Sequence, residues 1–143
     1  MKLIVDANVL FSALIKDGLT AELLISDKLQ LFAPEFLFTE FAKYEDLILR
    51  KTHRNEEEFN NFLGILKEQI FIVPKKEIIP FMDEADKNSP DPKDKLYLAL
   101  AIALKSSIWS NDKKLKQGQD KITVFSTEEL LKRTELIKTQ LSR

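Results

Sequence analysis

Short apolar segments alternate with segments of helical periodicity along the sequence, and this alternation limits the possible folds more than any other feature. The apolar segments are rich in residues that favour strands and lie at 2–5, 29–33, 70–73, 106–109 and 122–125. The segments between them repeat their apolar residues at helical spacing. Strands that alternate with helices predict a parallel sheet covered by helices on both faces, which is the α/β class.

Local signals divide the first third of the sequence into helices. A first helix is predicted over 8–16 and ends at a turn signal at 17–18. Thr20 is the expected N-cap of a second helix that runs to about Asp27. Residues 35–51 carry apolar side chains at helical spacing, which indicates further helix.

Two capping boxes mark the starts of later helices. Asn55 is followed three residues later by Glu58, and Ser126 is followed in the same way by Glu129. The first pair opens a helix before the third strand. The second pair opens the last helix, which is expected over about 127–140.

Two neighbouring stretches, 82–92 and 94–105, differ in character. The first, "MDEADKNSPDP", is acidic and contains prolines, so it is predicted to be irregular. The second, "DKLYLALAIALK", is apolar on nearly all sides, which predicts a helix buried between layers. Its apolar run at 96–104 falls far below the ~20 residues that span a bilayer, so no membrane partner is expected.

Composition excludes several kinds of chemistry. The 143 residues suit one domain spanning 1–143, and the net charge of −1 provides no global basic field for a polyanion. The absence of cysteine excludes disulfides and thiol catalysis and is typical of a reducing cytoplasm. The single histidine, His53, lies in a charged stretch and is interpreted as a surface residue. Any chemistry must therefore come from carboxylates, hydroxyls, amides or lysines, with or without a hard cation.

Four aspartates are expected at one edge of the predicted sheet. Asp6 directly follows the first strand and Asp112 comes just after the fourth, so both lie at the carboxyl edge. Asp91 precedes Pro92 and is the expected N-cap of the buried helix, whose first turn contains Asp94. Because a helix in a β-α-β unit starts where the preceding strand ended, these two aspartates join the same edge.

A fifth acid comes from the helix after the second strand. Glu40 lies six residues after Pro34, and its side chain can lean toward the same edge because helical side chains tilt toward the N-terminus. Glu35 is nearer the loop and competes for this place. Two carboxylates about 4 Å apart repel by on the order of 4 kcal/mol at an intermediate dielectric. Such a cluster needs protons or a cation, and Mg²⁺ or Mn²⁺ suits a set of oxygen ligands.

Each of these acids also has a purely structural interpretation. Asp91 and Asp94 can cap a helix and interact with its dipole, and Asp112 can be a turn residue. Asp6 is harder to explain in this way, because an acid directly against a buried strand is costly without compensation. Asn8 could hold a metal-bound water or simply begin the first helix, and Ser110 could hydrogen-bond Asp112 or a phosphate or belong to an ordinary turn.

Four segments, taken in order, resemble a PIN domain, the small ribonuclease fold of VapC-type toxins and related nucleases. They are "IVDANVLFSAL", "PEFLFTEF", "DPKDKLYLALAIAL" and "IWSNDKKL", and they cover nearly the whole chain. The last two are the most specific. The resemblance implies a single PIN-like domain with a central five-stranded parallel sheet flanked by helices on both faces, and it implies frequent homodimers.

The resemblance also implies a set of site residues. In such domains the catalytic and metal-binding acids would be Asp6, Glu40, Asp94 and Asp112. An additional metal-binding acid found in part of the family matches Asp91, and the accompanying polar residues match Asn8 and Ser110. The implied activity is hydrolysis of RNA phosphodiester bonds by a water that Mg²⁺ or Mn²⁺ activates, with an antitoxin protein as candidate partner.

Two other functions are compatible with parts of this pattern. A receiver domain of the aspartyl-phosphate kind also carries an Asp after strand one, but it would want an Asp and a Lys where Pro74 and Ser126 stand. A PIN-like chain that no longer cleaves, and instead binds RNA or protein, is the stronger rival. Of the basic residues that could contact phosphates, those nearest the predicted site are Lys113 and Lys114, although charge runs are usually solvated.

Overall fold

A parallel sheet of five strands forms the centre of the fold, in a computed structural model that describes residues 1–15, 18–88 and 91–141. The strands are β1 Lys2–Val5, β2 Gln30–Pro34, β3 Ile70–Val73, β4 Ser107–Trp109 and β5 Val124–Phe125. Their order across the sheet is β3-β2-β1-β4-β5 and every neighbouring pair is parallel. The predicted fold class is confirmed.

Helices connect the strands. They are α1 Ala7–Ile15, α2 Gly18–Leu24, α3 Phe36–Ala42, α4 Glu45–Thr52, α5 Glu56–Gln69, α6 Lys75–Ile78, α7 Met82–Asn88, α8 Pro92–Leu104, α9 Lys113–Gln117 and α10 Thr127–Leu141, with a 3₁₀ turn at Ile79–Phe81. The connections through α1–α5 run in one direction across the sheet and those through α6–α9 run in the other, so the right-handed rule for parallel crossovers assigns the two sets to opposite faces. In the described part of the chain no helix is long and apolar enough to cross a membrane.

The strand order places a topological switch point between β1 and β4. From β1 the chain proceeds through β2 to β3 on one side, whereas β4 and β5 lie on the other side. The register pairs Ile4 with Ile108 and Val5 with Trp109, so the two strands end side by side. Parallel α/β sheets bind ligands at such a point, beyond the carboxyl ends of the strands.

The helix predicted to be buried between layers is buried. α8 packs on β1, β2 and β4, and its residues 98–101 have no exposed surface. Residues 3–5 of β1 and Trp109 of β4 are equally buried. This apolar layer lies directly beneath the carboxyl edge of the sheet and supports the side chains that follow β1 and β4.

The helical stretch predicted over 35–51 is helical, but it is broken in the middle. α3 ends at Ala42 and α4 starts at Glu45, and between them Tyr44 has φ −105° and ψ 11°. The Tyr44 ring packs edge-on against Phe11, with 5.2 Å between ring centroids. Neither glycine nor proline marks the break, so apolar spacing alone does not reveal it.

The predicted second helix has different ends in the structure. α2 begins at Gly18 and ends at Leu24, so it neither starts at Thr20 nor reaches Asp27. Thr20 is not an N-cap but lies inside the helix, where it is 5% exposed. Residues 16–17, which belong to the predicted end of the first helix and its turn, lie outside the described residues.

The acidic stretch before the buried helix was predicted to be irregular, and this is wrong for most of it. α7 covers Met82–Asn88 and packs on α8, with Ala85 fully buried. Asp86 lies on the exposed side and pairs with Lys95 at 2.5 Å. The segment that its acids and prolines made look irregular is therefore mostly a helix that packs on α8. Residues 89–90 lie outside the described residues.

Both predicted capping boxes mark real helix starts. The Asn55 side chain accepts a hydrogen bond from the Glu58 backbone N–H at 2.9 Å. Ser126 and Glu129 bond reciprocally, each side chain accepting from the other's backbone N–H at 3.2 Å. The last helix therefore begins where the sequence predicts it.

Candidate metal centre

Asp6 stands where β1 ends and α1 begins. Its backbone N–H donates to the Trp109 carbonyl at 3.0 Å, which extends the β1–β4 pairing by one residue. Its own carbonyl accepts from the Val9 N–H at 3.1 Å in the first turn of α1. The main chain is therefore held on both sides, and the carboxylate lies at the carboxyl edge of the sheet.

The Ser110 hydroxyl joins the ends of β1 and β4. It donates to Asp6 Oδ2 at 2.8 Å and accepts from Asn8 Nδ2 at 3.2 Å and from the Asp112 backbone N–H at 3.1 Å. Asn8 Nδ2 also lies 3.3 Å from Asp6 Oδ2. A hydroxyl has one donor and two acceptor positions, and Ser110, which is 2% exposed, uses all three. These bonds fix the position of the Asp6 carboxylate.

Asp112 begins the short helix α9, which the sequence did not predict. Asp112 Oδ1 accepts from the Lys114 backbone N–H at 2.9 Å, so the side chain is an N-cap. The same side chain lines the cavity that Asp6 lines. The structural and the functional interpretations of Asp112 are therefore compatible, because the cap fixes a carboxylate at the edge of the sheet.

Glu40, not Glu35, is the glutamate that the structure brings to the aspartates. Glu40 Oε2 accepts from the Tyr97 hydroxyl of α8 at 3.2 Å and lines the same cavity as Asp6. Glu35 lines a different cavity, beside Pro34. This placement agrees with the tilt of helical side chains toward the N-terminus.

The predicted acids surround one cavity of about 190 Å³, here called the acidic cleft. Its acidic residues are Asp6, Glu40, Asp91, Asp94 and Asp112, and its other lining residues are Ala7, Asn8, Phe11, Tyr44 and Tyr97. Lys113 and Lys114 are exposed on α9, directly after Asp112. The structure thus brings the predicted acids together, while their roles in metal binding and catalysis stay predictions.

Burial and neighbouring charges raise the pKa of two aspartates in the acidic cleft. For Asp6 the main cause is burial, to which the charge of Glu40 adds, while the hydrogen bond from Ser110 acts in the opposite direction. For Asp94, burial and then the charges of the other four acids raise the pKa to about 6. Without a cation, the ionised form of the cleft is therefore disfavoured.

The chemistry of the acidic cleft suits a hard divalent cation. It offers carboxylate oxygens, which Mg²⁺ and Mn²⁺ prefer, and the chain has no cysteine. Across residues 1–15, 18–88 and 91–141, no three acidic or histidine side chains lie close enough together to hold one ion. Carboxylates that repel one another stand apart, so the charge of the ion would have to draw them together.

Three aromatic residues of the acidic cleft were missed by the sequence analysis: Phe11, Tyr44 and Tyr97. Burial, with the charges of Asp6 and Glu40, raises the pKa of Tyr97, so its phenol stays protonated and donates to Glu40. One signal was available, because Tyr97 follows Asp94 by three residues and shares its helix face. A hydroxyl in such an apolar helix needs a partner.

The single histidine takes no part in the acidic cleft. His53 is exposed and ends α4 in the left-handed conformation, with φ 55°. The prediction of a surface residue is confirmed. No histidine is therefore positioned to activate a serine near the cleft.

We expect the metal-free protein to become more stable as the pH falls from about 7 to 5. The pKa of Asp94 is 3.8 in its unperturbed state and about 6 in the folded protein, so within this window the folded state keeps a proton that the unfolded chain releases. Thermal denaturation in EDTA at several pH values measures this. The melting temperature of the Asp94→Asn variant should depend less on pH. The difference between its melting temperature and that of the wild type should shrink by about 3 °C between pH 7 and pH 5.

Asp120→Asn is the matched control, since Asp120 is an exposed acid outside the acidic cleft. It should keep the wild-type profile. A pH profile of Asp94→Asn identical to that of the wild type would contradict the assignment of this proton to the cleft.

Comparisons with known proteins agree with this architecture. The fold is similar to that of a chain in the crystal structure of VapBC2 from Rickettsia felis bound to a DNA fragment from their promoter. The TM-score is 0.65 and the identity 17%, and the similarity covers 88% of this chain and 98% of that one. Among curated proteins, none matches this sequence. The family model of the PIN domain matches residues 4–141, and the chain therefore belongs to the PIN domain family.

Proposed function

We propose that this chain is a metal-dependent ribonuclease that hydrolyses RNA phosphodiester bonds with Mg²⁺ or Mn²⁺ as cofactor. PIN domains are a nuclease family, and membership of it supports nuclease activity in general. The proposal of a metal-dependent reaction rests on the acidic cleft itself. Its carboxylates come from four separate parts of the fold and meet at the topological switch point of the sheet.

Asp6, Asp94, Asp112 and Glu40 would hold the cation. When bound, it would activate a water molecule for attack on phosphorus and neutralise charge on the leaving oxygen. Ser110 and Asn8 hold Asp6 in place, and the neutral Tyr97 phenol holds Glu40. Asp91, which lines the same cleft, would add a fifth carboxylate to the metal site.

Attack by water, without a covalent enzyme intermediate, agrees with the residues available. The chain contains no cysteine, and its one histidine is exposed at the C-terminal end of α4. A serine nucleophile needs a neighbouring base, and the acceptor of the Ser110 hydroxyl is Asp6, a carboxylate that would be a ligand of the cation and so could not serve as that base. A direct displacement by water is therefore the mechanism that the cleft supports best.

The similar structure of VapBC2 supports an antitoxin chain as a partner of this protein, which would make it the toxin of a toxin–antitoxin pair. A homodimer, expected from the family resemblance, is part of the same proposal. The rival function is a PIN-like module that binds RNA or protein without cleaving. The presence of every matched acid in the cleft favours the enzyme.

We expect millimolar Mg²⁺ or Mn²⁺ to raise the melting temperature of the wild-type protein, because a cation relieves the repulsion between the carboxylates. Asp6→Asn should reduce this shift, since the amide can still accept from Ser110 but carries no charge. Asp120→Asn should keep the full shift, because Asp120 lies outside the acidic cleft. Failure to detect ion binding by calorimetry at millimolar metal would contradict the metal site.

We expect a mixed RNA pool to be cleaved in the presence of Mn²⁺ and to stay intact in EDTA. Asp6→Asn and Asp94→Asn should each lower the cleavage rate by about a hundredfold or more, because each removes a charge needed at the cation. Gel analysis of the pool, with circular dichroism to verify folding, measures both effects. Cleavage that survives EDTA and Asp6→Asn would indicate a contaminating nuclease. An RNA pool left intact by the wild type would favour the non-catalytic module.

We expect Lys113→Ala combined with Lys114→Ala to weaken binding of all RNA sequences alike and to lower the salt slope by about 2. Binding would be measured in the Asp94→Asn background, which prevents cleavage and leaves the contacts of the exposed α9 lysines, outside the cleft, as the binding that is compared. The matched control is Lys2→Ala with Lys67→Ala, which removes the same charge at the opposite edge of the sheet. Equal salt slopes for the two double variants would exclude a specific role for α9.

A further inference from the structure

The loop that carries Asp112 is tied to the last helix by a pair of hydrogen bonds outside the acidic cleft. Asn111 Oδ1 accepts from the Thr127 backbone N–H at 2.9 Å, and Asn111 Nδ2 donates to Thr127 Oγ1 at 3.0 Å. Thr127 is the first residue of α10. One residue of the helix therefore holds both polar atoms of the Asn111 amide.

The indole of Trp109 makes a third bond to the same threonine. Trp109 Nε1 donates to Thr127 Oγ1 at 3.0 Å, and Trp109 is fully buried in β4. The Thr127 hydroxyl oxygen thus accepts from both Trp109 and Asn111, which fills its two acceptor positions. Because the indole is fixed by the core, it fixes the hydroxyl to which the loop is attached.

Asn111 transmits this restraint to the acids. Its backbone N–H donates to Asn8 Oδ1 at 3.3 Å, and Asn8 in turn contacts Asp6. The residues on either side of Asn111 are Ser110, which donates to Asp6, and Asp112, which lines the acidic cleft. A shift of Asn111 would therefore move the Asp112 carboxylate relative to the Asp6 carboxylate.

We propose that Thr127 is a positioning residue of the metal site, which couples the docking of α10 to cation binding. This role rests on the proposed metal-dependent function. The Thr127 hydroxyl acts through Asn111 and does not touch the cation. The helix end that carries it is itself held by the reciprocal bonds of Ser126 and Glu129 and by packing of α10 on α2.

The test compares the Mn²⁺ affinity of threonine variants by isothermal titration calorimetry. Thr127→Val keeps the shape of the side chain and the backbone bond but removes the hydroxyl, and it should weaken Mn²⁺ binding about tenfold. Thr127→Ser keeps the hydroxyl and should bind like the wild type. Thr134→Val is the matched control, because the Thr134 hydroxyl bonds only to carbonyls of α10 itself, at Leu130 and Leu131, in the described structure.

Trp109 is the only tryptophan of the chain, so its fluorescence reports the hydrogen bond from its indole to Thr127 in the absence of metal. Thr127→Val should shift its emission to shorter wavelength, because the excited indole loses a hydrogen-bond acceptor, and Thr127→Ser should restore it. Asn111→Ala, a change at an exposed position, should lower Mn²⁺ affinity by a similar factor. Because both variants break one chain of contacts, the double variant should be no weaker than either single variant.

Equal Mn²⁺ affinity in the wild type, Thr127→Val and Asn111→Ala would overturn the positioning role and leave the proposed function intact. An equal loss in Thr134→Val would also overturn it, since the effect would then be a general weakening of α10. A wild-type protein that binds no Mn²⁺ would overturn both the proposed function and this role.

Discussion

The pairing of β1 with β4 is the constraint on which the acidic cleft depends. The two strands are far apart in the chain, and the hydrogen bond from Ser110 to Asp6 joins residues separated by 104 positions. Connections leave the pair toward opposite edges of the sheet, so none crosses the space beyond the two strand ends. That space is where α8 begins and where Glu40 of α3 leans in. The strand order therefore determines where the cleft lies, and the acids that line it determine its charge.

The acidic cleft lowers the stability of the metal-free fold, and the core beneath it offsets this cost. The raised pKa values of Asp6 and Asp94 mean that folding disfavours their ionised forms. Ser110 partly compensates Asp6, and fully buried apolar residues of β1 and α8 supply the cohesion. A binding cation would relieve the repulsion at the place where the ligand is needed. Stability and metal binding are in this way linked through the same carboxylates.

The sequence predicts those parts of the fold that depend on local pattern. The strands and α8 follow from runs of apolar residues, and the position of Asp6 and Asp112 at one edge follows from the strand ends. What could not be predicted depends on packing between distant segments. The break between α3 and α4 falls at Tyr44, whose ring packs on the distant Phe11, and no local breaker marks it. Likewise, Thr127 reaches Asn111 only because β5 returns the chain beside β4, which no local pattern reveals.

The same electrostatics restricts the order in which a nuclease of this design can bind its ligands. The net charge of the chain is −1 and the acidic cleft concentrates negative charge, so a phosphodiester entering it would meet repulsion. The exposed lysines of α9 can attract a strand to the rim, but they lie after Asp112 and outside the cleft. Only a cation inside the cleft reverses the sign of the field that the scissile phosphate meets. Metal would therefore precede productive RNA binding, and a variant that loses the cation should lose affinity for RNA in the cleft as well as catalysis.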